Sequence, residues 1–187
     1  MTNTIDDWWE ERRRRRLEAF RARRPIRLRD KGHLPDEIAA WGSRLFDRTA
    51  GNLVIVGGTG TTKTWCVWEV LERAIAAGYP GAILFATPAE WQEIVGPPAD
   101  WARLREMREA DVLVLDDLGS IRINDWTRDV LGPVIDWRWQ HALPIVITSN
   151  LGNLVEPLGE RMASRLADGA TVVVLDGEDR RAARWAS

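Results

Sequence analysis

The sequence is most informative at Leu53-Val54-Ile55-Val56-Gly57-Gly58-Thr59-Gly60-Thr61-Thr62-Lys63-Thr64. Four apolar, mostly β-branched residues predict a buried strand, a glycine-rich turn follows, and residues 65–77 have the pattern of a helix. A strand, a glycine-rich loop and a helix that begins at Lys-Thr form the layout of a phosphate-binding P-loop. The stretch therefore predicts a nucleoside triphosphate site.

Each residue type in this loop suits phosphate. Small residues let backbone N–H groups converge on phosphate oxygens, and the positive end of the helix dipole adds to the attraction. Lys63 is expected to reach the β- and γ-phosphates of ATP, and the Thr64 hydroxyl to ligate Mg²⁺. The predicted nucleotide-binding residues here are Gly57, Gly58, Thr59, Gly60, Thr61, Thr62, Lys63 and Thr64.

One position departs from the pattern, since Thr62 stands where glycine normally precedes the lysine. Glycine suits a backbone that passes close to phosphate or adopts a conformation costly for other residues. We expect the β-branched threonine to affect hydrolysis more than nucleotide binding. The alternative interpretation is a Gly/Thr-rich hairpin turn with an incidental lysine, and the strand before and the helix after it favour the P-loop.

The identity of the basic residue supports the same interpretation. Of 26 basic residues, only Lys31 and Lys63 are lysines, so the chain strongly prefers arginine. A lysine at the P-loop position supplies a compact point charge that the planar guanidinium does not reproduce.

A second informative stretch runs from Asp111 to Leu118. Residues 112–115 predict a buried strand that ends in Asp116-Asp117, the pattern of a Walker B element. The ends of parallel strands face the ligand crevice, so both carboxylates are expected near the P-loop. Asp116 is predicted to hold Mg²⁺ and Asp117 to orient the attacking water. A strand that ends at an ordinary acidic turn is the alternative.

The remaining pattern completes an α/β domain. Further strands are predicted at 82–86, 143–147 and 171–175, and helices at 36–46, from 87 or 88, from 100, from 124 or 125 to about 140, and at 159–166. Thr148-Ser149-Asn150 follows one of these strands, and a polar residue there can sense the γ-phosphate.

Residues 5–24 predict a helix with few apolar side chains and a block of arginines. Residues 12–31 hold eleven Arg or Lys against Glu18 and Asp30. Three interpretations remain open, namely contact with nucleic-acid phosphates, docking on an acidic protein surface, and a solvated face. Pro25 ends the helix, and residues 26–35 are predicted to be an extended linker.

Several functional classes are disfavoured. One cysteine, Cys66, gives no disulfide framework, and His33 and His141 are too isolated to predict a metal site or a catalytic triad. No apolar run has membrane-spanning length, so we expect no membrane partner and a cytoplasmic protein.

The order of these motifs resembles the AAA+ ATPases of the group that contains DnaC/DnaI-like helicase loaders and IstB-like transposition helpers. The resemblance covers about residues 26–181. Residues 57–65, which include Trp65 as a further nucleotide-binding residue, resemble its Walker A motif. Residues 115–119 resemble its Walker B motif, and residues 143–150 resemble its sensor 1 strand, with Asn150 as the sensor. Residues 160–165 resemble its box VII helix, with Arg165 as arginine finger and Arg161 as second candidate.

The resemblance implies a three-layer P-loop NTPase fold with a parallel five-stranded sheet, an ASCE-type AAA+ core and no C-terminal lid. It implies an N-terminal helical arm at 1–24 that binds the replicative helicase, a linker and lead-in helix at 25–50, an ATPase core at 51–181 and a tail at 182–187. It also implies ATP and Mg²⁺ as cofactors, with Thr64 and Asp116 as Mg²⁺ ligands. The implied catalytic residues are Lys63, Asp117, Asn150, Arg165 and Arg161.

Three functions remain open at this point. The first is a helicase loader, which binds single-stranded DNA as a homo-oligomer with the arginine finger supplied in trans. The second is a transposition helper that binds duplex DNA. The third is an adaptor that binds nucleotide with little or no hydrolysis. The short, arginine-rich arm suggests a phage version of the loader.

Overall fold

The computed structural model describes residues 4–29, 32–120 and 123–176. The chain forms two compact units, Met1–Ala50 with Thr64–Pro80 and Gly51–Lys63 with Gly81–Ser187. The elements are α1 (Thr4–Arg23), α2 (Asp36–Ser43), β1 (Leu53–Gly57), α3 (Lys63–Ala76), β2 (Ile83–Ala86), α4 (Pro88–Val95), α5 (Trp101–Glu109), β3 (Val112–Leu115), α6 (Asp125–Gln140), β4 (Ile145–Ser149), α7 (Val155–Leu158), α8 (Glu160–Ala167) and β5 (Thr171–Leu175).

The second unit contains a five-stranded sheet in the order β2-β3-β4-β1-β5, and every pair is parallel. This confirms the predicted α/β fold, and β4 lies between the P-loop strand and the strand that precedes the acidic pair. All residues of β3 and β4 are buried, as expected of central strands in a parallel sheet. Because the strands are parallel, the carboxyl ends of β1, β3 and β4 lie at the same edge.

Three helices of the second unit, α4, α5 and α6, begin at side chains that satisfy some of their first N–H groups. Thr87 and Glu90 form a reciprocal capping box before α4, and Asp100 accepts hydrogen bonds from two backbone N–H groups of α5. Asn124 accepts from the backbone N–H of Thr127 at the start of α6. These three predicted helix starts are confirmed.

Three local features differ from the expected pattern. Residues Ile26–Leu28 form one turn of 3-10 helix inside the linker that was expected to be extended. Helix α2 ends at Ser43 and not at Phe46. Helix α7 has only four residues, too short for a periodic signal, and Gly159 separates it from α8 with φ 82°, a conformation that glycine adopts without strain. The predicted tail, residues 182–187, lies outside the described residues.

In the first unit, the C-terminal half of α1 packs on α3. The rings of Phe20 and Trp68 lie 4.7 Å apart, and both side chains are buried. Arg24 is also buried and donates to Glu72 at 2.8 Å and to Glu69 at 3.1 Å. The basic helix therefore uses part of its charge on an acidic surface of its own chain.

Two further arginines of α1 also form hydrogen bonds within the first unit. Arg21 donates to Glu72 at 2.7 Å, and Arg16 donates to the backbone carbonyl of Tyr79 at 2.7 Å. Burial raises the pKa of Glu72, but the hydrogen bonds and charges of Arg21 and Arg24 outweigh burial, so this pKa lies below its ordinary value. Glu72 is therefore ionised at neutral pH.

No described helix combines the length and apolar character that crossing a lipid bilayer requires. The longest, α1, carries the arginine block.

A buried arginine holds the second unit together between α5, α6 and β4. Arg138 is 0% exposed, and its guanidinium donates to the carbonyls of Met107 and Ala110 at the end of α5 and to that of Pro144 before β4, each at 2.8 Å. The carbonyls of Met107 and Ala110 lie where a helix leaves its last acceptors unsatisfied. The guanidinium, with donors fixed in a plane, serves all three at once.

We expect Arg138→Met to lower the free energy of unfolding by about 3 kcal/mol, because it leaves buried carbonyls without a donor. Urea unfolding followed by far-UV circular dichroism measures this change. Arg103→Met on α5 is the matched control, since Arg103 is exposed and its ion pair is with exposed Glu106. Its expected cost is below about 0.5 kcal/mol, and equal costs for both variants would contradict the role of Arg138.

Candidate nucleotide-binding site

The loop at residues 58–62 leads from β1 directly into α3. A Cβ on Gly57 would lie 2.4 Å from the carbonyl oxygen of Leu175 and 2.8 Å from Thr61 Oγ1, so only glycine fits there. Thr61 is buried, and its hydroxyl donates to the Gly58 carbonyl at 2.8 Å. Gly58 and Thr59 are exposed. The loop is thus anchored at its base and presents small residues to solvent.

Lys63 is buried, and its ammonium lies against the loop. Nζ donates to the carbonyls of Gly57 and Gly58, each at 2.7 Å. Lys63 is also the first residue of α3, where backbone N–H groups point away from the helix. A compact cation and the backbone of a glycine-rich loop are donors of the kind that a triphosphate requires. The residues at this position therefore fit ATP.

Thr62 adopts φ 67°, in the left-handed region. A β-branched residue in this region is strained, whereas glycine enters it at little cost. The conformation explains why the P-loop pattern has glycine before the lysine. In this chain Thr62 adopts the left-handed conformation that glycine would adopt, and its backbone is strained as a result.

Thr64 and Trp65 are the second and third residues of α3 and belong to the first unit. Trp65 is buried there, with the Arg24 guanidinium carbon 5.9 Å from its ring centre. The assignments of Trp65 to the nucleotide and of Thr64 to Mg²⁺ stay predictions.

The acidic pair lies in a turn that immediately follows β3. Asp116 is buried, and its Oδ1 accepts a hydrogen bond of 2.7 Å from Thr148 Oγ1. Asp117 is partly exposed and has φ 49°, and its N–H donates to the same Thr148 oxygen at 2.7 Å. Side chains of β4 therefore hold the acidic turn of β3.

Asn150 follows the last residue of β4 and is exposed. Asn150 lies close to Gly119, which is in the turn after the acidic pair. A Cβ built on Gly119 would lie 3.2 Å from Asn150 Oδ1. The register pairs Val56 with Ser149 and Leu115 with Ile147. It places the ends of the P-loop strand, the acidic strand and the Asn150 strand at one edge of the sheet.

Among residues 4–29, 32–120 and 123–176, no group of three or more His, Cys, Asp or Glu side chains could hold a metal ion. Mg²⁺ usually keeps several waters and is bound through one or two carboxylates and substrate phosphates. Asp116 suits that kind of ligation, in which the nucleotide supplies the other oxygens. Its assignment as a Mg²⁺ ligand stays a prediction.

The two candidate finger arginines lie one turn apart on α8, and both pair with Asp136 of α6. Arg161 forms an ion pair with Asp136 Oδ2, and Arg165 Nε lies 3.6 Å from Asp136 Oδ1. The Arg165 guanidinium also stacks 3.7 Å above the Trp139 ring centre. The Arg161 side chain is 75% exposed and that of Arg165 32%, so Arg161 is the more accessible.

A buried amide fixes the helix that carries these arginines. Asn52 Nδ2 donates to the carbonyls of Arg165 and Leu166 at 3.2 and 3.0 Å, and its Oδ1 accepts from the N–H of Ile145 at 2.9 Å. The last turn of α8 is therefore tied to the start of β4. Asn52, Asp136, Trp139 and Thr148 all act through residues distant in sequence, so no local motif indicated their roles.

The family model described as IstB-like ATP binding protein matches residues 29–181. The chain is 26% identical over 147 residues to the replicative helicase loader DnaI of Bacillus subtilis (strain 168). This alignment covers 69% of the chain and 47% of DnaI. It is 33% identical over 128 residues to the insertion sequence IS1162 putative ATP-binding protein of Pseudomonas fluorescens, covering 66% of this chain and 54% of that protein. The chain thus spans about half the length of these relatives.

Among solved structures, the crystal structure of the DnaC helicase loader superposes with a TM-score of 0.64 at 24% identity. The match covers 74% of this chain and 86% of that one. This likeness supports the assignment of the fold.

We expect Thr62→Gly to raise the free energy of unfolding by about 1 kcal/mol, because it removes a β-branched residue from φ 67°. Thermal and urea unfolding of the nucleotide-free chain measure the change. Thr59→Gly is the matched control, since Thr59 lies in the same exposed loop without a positive φ. Glycine there adds freedom to the unfolded chain and should lower stability slightly. A lower free energy of unfolding in Thr62→Gly would contradict the conclusion that the backbone of Thr62 is strained.

Proposed function

Since the chain belongs to the family of IstB-like ATP-binding proteins, we propose that it is an ATP-dependent loader of a replicative DNA helicase. The observation that carries the proposal is the edge of the sheet, where the glycine-rich loop with Lys63, the acidic pair Asp116-Asp117 and Asn150 end neighbouring parallel strands. The likeness to a helicase loader in sequence supports the choice of process.

Each residue at this edge has a role in the proposed hydrolysis. Lys63 binds the β- and γ-phosphates, Asp117 orients the attacking water and Asn150 contacts the γ-phosphate. When bound, Mg²⁺ supplies charge neutralisation at the phosphates. The strained Thr62 lies next to Lys63, so we expect slow turnover and intact nucleotide binding.

An arginine from a neighbouring subunit completes the proposed site. Arg161 and Arg165 are tied to α6 through Asp136 and Trp139, so they are held on the surface formed by α6 and α8. A head-to-tail contact would bring that surface of one subunit to the nucleotide of the next. The finger stabilises charge that develops in the transition state, which makes hydrolysis dependent on assembly.

The test is phosphate release from ATP with and without single-stranded DNA. Lys63→Ala and Arg165→Ala should each lower the rate about 10³-fold or more, since one lacks the phosphate-binding cation and the other the finger. An equal mixture of the two variants should regain about a quarter of the wild-type rate, because random heterologous contacts restore a complete site in that share of interfaces.

Repeating the mixture with Arg161→Ala identifies the finger. If Lys63→Ala stays inactive both when it is mixed with Arg165→Ala and when it is mixed with Arg161→Ala, a finger in trans is contradicted. Tight ATP binding without turnover in the wild-type chain favours the nucleotide-binding adaptor. In that case Thr62→Gly is the next variant, because rescue of turnover would assign the defect to Thr62.

The N-terminal half of α1 is the proposed contact with the helicase. Trp8 and Trp9 are each 54% exposed, and the Arg12 guanidinium lies 5.4 and 5.6 Å from their ring centres. Exposed tryptophans beside arginine are the residues that most often dominate protein interfaces. Phe20, in the other half, and Arg24, just after the helix, are already buried against α3.

We expect Trp8→Ala/Trp9→Ala to weaken helicase capture at least about tenfold while leaving ATP binding and the unfolding midpoint unchanged, because these exposed rings are typical hot-spot side chains. Pull-down and titration with the purified hexameric helicase measure the affinity. Phe20→Ala is the contrasting variant, since it should lower stability through lost core packing. Wild-type capture by the double tryptophan variant would contradict this assignment.

A transposition helper is the second candidate, and the likeness to the IS1162 putative ATP-binding protein favours it. The two candidates differ in the DNA they bind. Preference for duplex over single-stranded DNA, with a salt dependence that reflects phosphate contacts, would support the helper and contradict the loader.

A further inference from the structure

We propose that Thr148 is a positioning residue that orients the Asp116 carboxylate toward the Mg²⁺ of a bound nucleotide. The proposal rests on the ATP-binding function proposed above and names a residue that acts through Asp116. It follows from three bonds that Thr148 forms with the turn after β3.

The first bond concerns the carboxylate. Thr148 Oγ1 donates its one hydrogen to Asp116 Oδ1 at 2.7 Å. A bond at this distance to a buried carboxylate restricts its rotation about the Cβ–Cγ axis, and charge-assisted hydrogen bonds are stronger than neutral ones. Because the hydroxyl bonds to Oδ1 in particular, it selects one orientation of the carboxylate plane.

The other two bonds fix the backbone beside it. The same Oγ1 accepts from the N–H of Asp117 at 2.7 Å, and the Thr148 carbonyl accepts from the N–H of Leu118 at 2.7 Å. Asp117 has φ 49°, which a non-glycine residue adopts only when its surroundings hold it there. A single residue of β4 therefore sets the path of the acidic turn and the orientation of its first carboxylate.

Burial gives these bonds their effect. Thr148 is 0% exposed, and Asp116 is 7% exposed. Water therefore does not readily replace the hydroxyl if it is removed, and the carboxylate loses the bond to Oδ1 that selects its orientation. Outer-shell partners of metal ligands typically change metal affinity by about 10- to 100-fold when they are removed.

A residue that only packed the sheet would behave differently. Valine has nearly the shape of threonine and suits a buried strand, so it preserves packing while it removes the hydroxyl. The neighbouring hydroxyl provides a matched control, because Ser149 is also fully buried but donates to the Leu118 carbonyl at 2.5 Å. Loss of either hydroxyl lowers stability, but of these two hydroxyls it is that of Thr148 that bonds to the Asp116 carboxylate.

The experiment titrates a fluorescent ATP analogue against the full chain at a series of Mg²⁺ concentrations and in EDTA. In EDTA, Thr148→Val should bind the analogue with the affinity of the wild type. The Mg²⁺ concentration that gives half of the Mg²⁺-dependent increase in affinity should rise about tenfold. Thr148→Ser should restore wild-type Mg²⁺ dependence, because it keeps the hydroxyl. Ser149→Ala should lower the unfolding midpoint without changing Mg²⁺ dependence.

An unchanged Mg²⁺ dependence in Thr148→Val, or an equal shift in Ser149→Ala, overturns the proposal. If Thr148→Val does not fold, Thr148→Cys takes its place, since a thiol keeps the size and donates only weakly. Asp116→Asn gives the second test, because adding the Thr148 substitution to it should produce no further shift. Failure of the wild-type chain to bind the analogue at all contradicts the proposed ATP binding, which separates the two conclusions.

Discussion

The parallel pairing of β4 with both β1 and β3 is the constraint on which the candidate site depends. This one strand joins the P-loop strand to the acidic strand, and its register places their carboxyl ends at a common edge. Side chains alternate between the two faces of a strand, so a slip of one residue would move Thr148 to the other face. The complete burial of β3 and β4 opposes such a slip, because the central strands pack on both faces.

Two of the four described non-glycine residues with positive φ lie in the two turns that this pairing brings to one edge. Thr62 in the glycine-rich loop and Asp117 in the acidic turn both have positive φ. At Asp117 the cost is offset by the Thr148 hydroxyl, which accepts the Asp117 N–H. At Thr62 the restraint comes from the loop ends, where the buried Thr61 and Lys63 bond to backbone carbonyls. Strain of this kind persists where the surroundings over-determine the backbone, which is common at functional sites.

The sequence predicts most elements of this fold because the strands and several of the helix starts carry a local signal. The β-branched runs of β1 and β3, the caps at Thr87, Asp100 and Asn124, and the glycine-rich loop all depend on neighbours within a few residues. The roles of Asn52, Asp136, Arg138 and Thr148 depend on partners from about 25 to more than 100 residues away. Such pairings follow from the topology, and local residue patterns do not contain them.

The arginine block of α1 shows the same limit of charge patterns. A run of arginines predicts attraction to some anion without indicating which one, and the acidic residues Glu69 and Glu72 of α3 satisfy part of it within the chain. Glu11 of α1 itself pairs with two more arginines. The exposed N-terminal half of the helix is therefore distinguished by the aromatic rings of Trp8 and Trp9 beside Arg12 as well as by its charge. Such a surface gains affinity mainly from burying aromatic rings, whose contribution depends little on salt. A proteinaceous partner suits this end of α1 better than the phosphate backbone of DNA, since acidic Asp6, Asp7 and Glu10 lie beside the tryptophans.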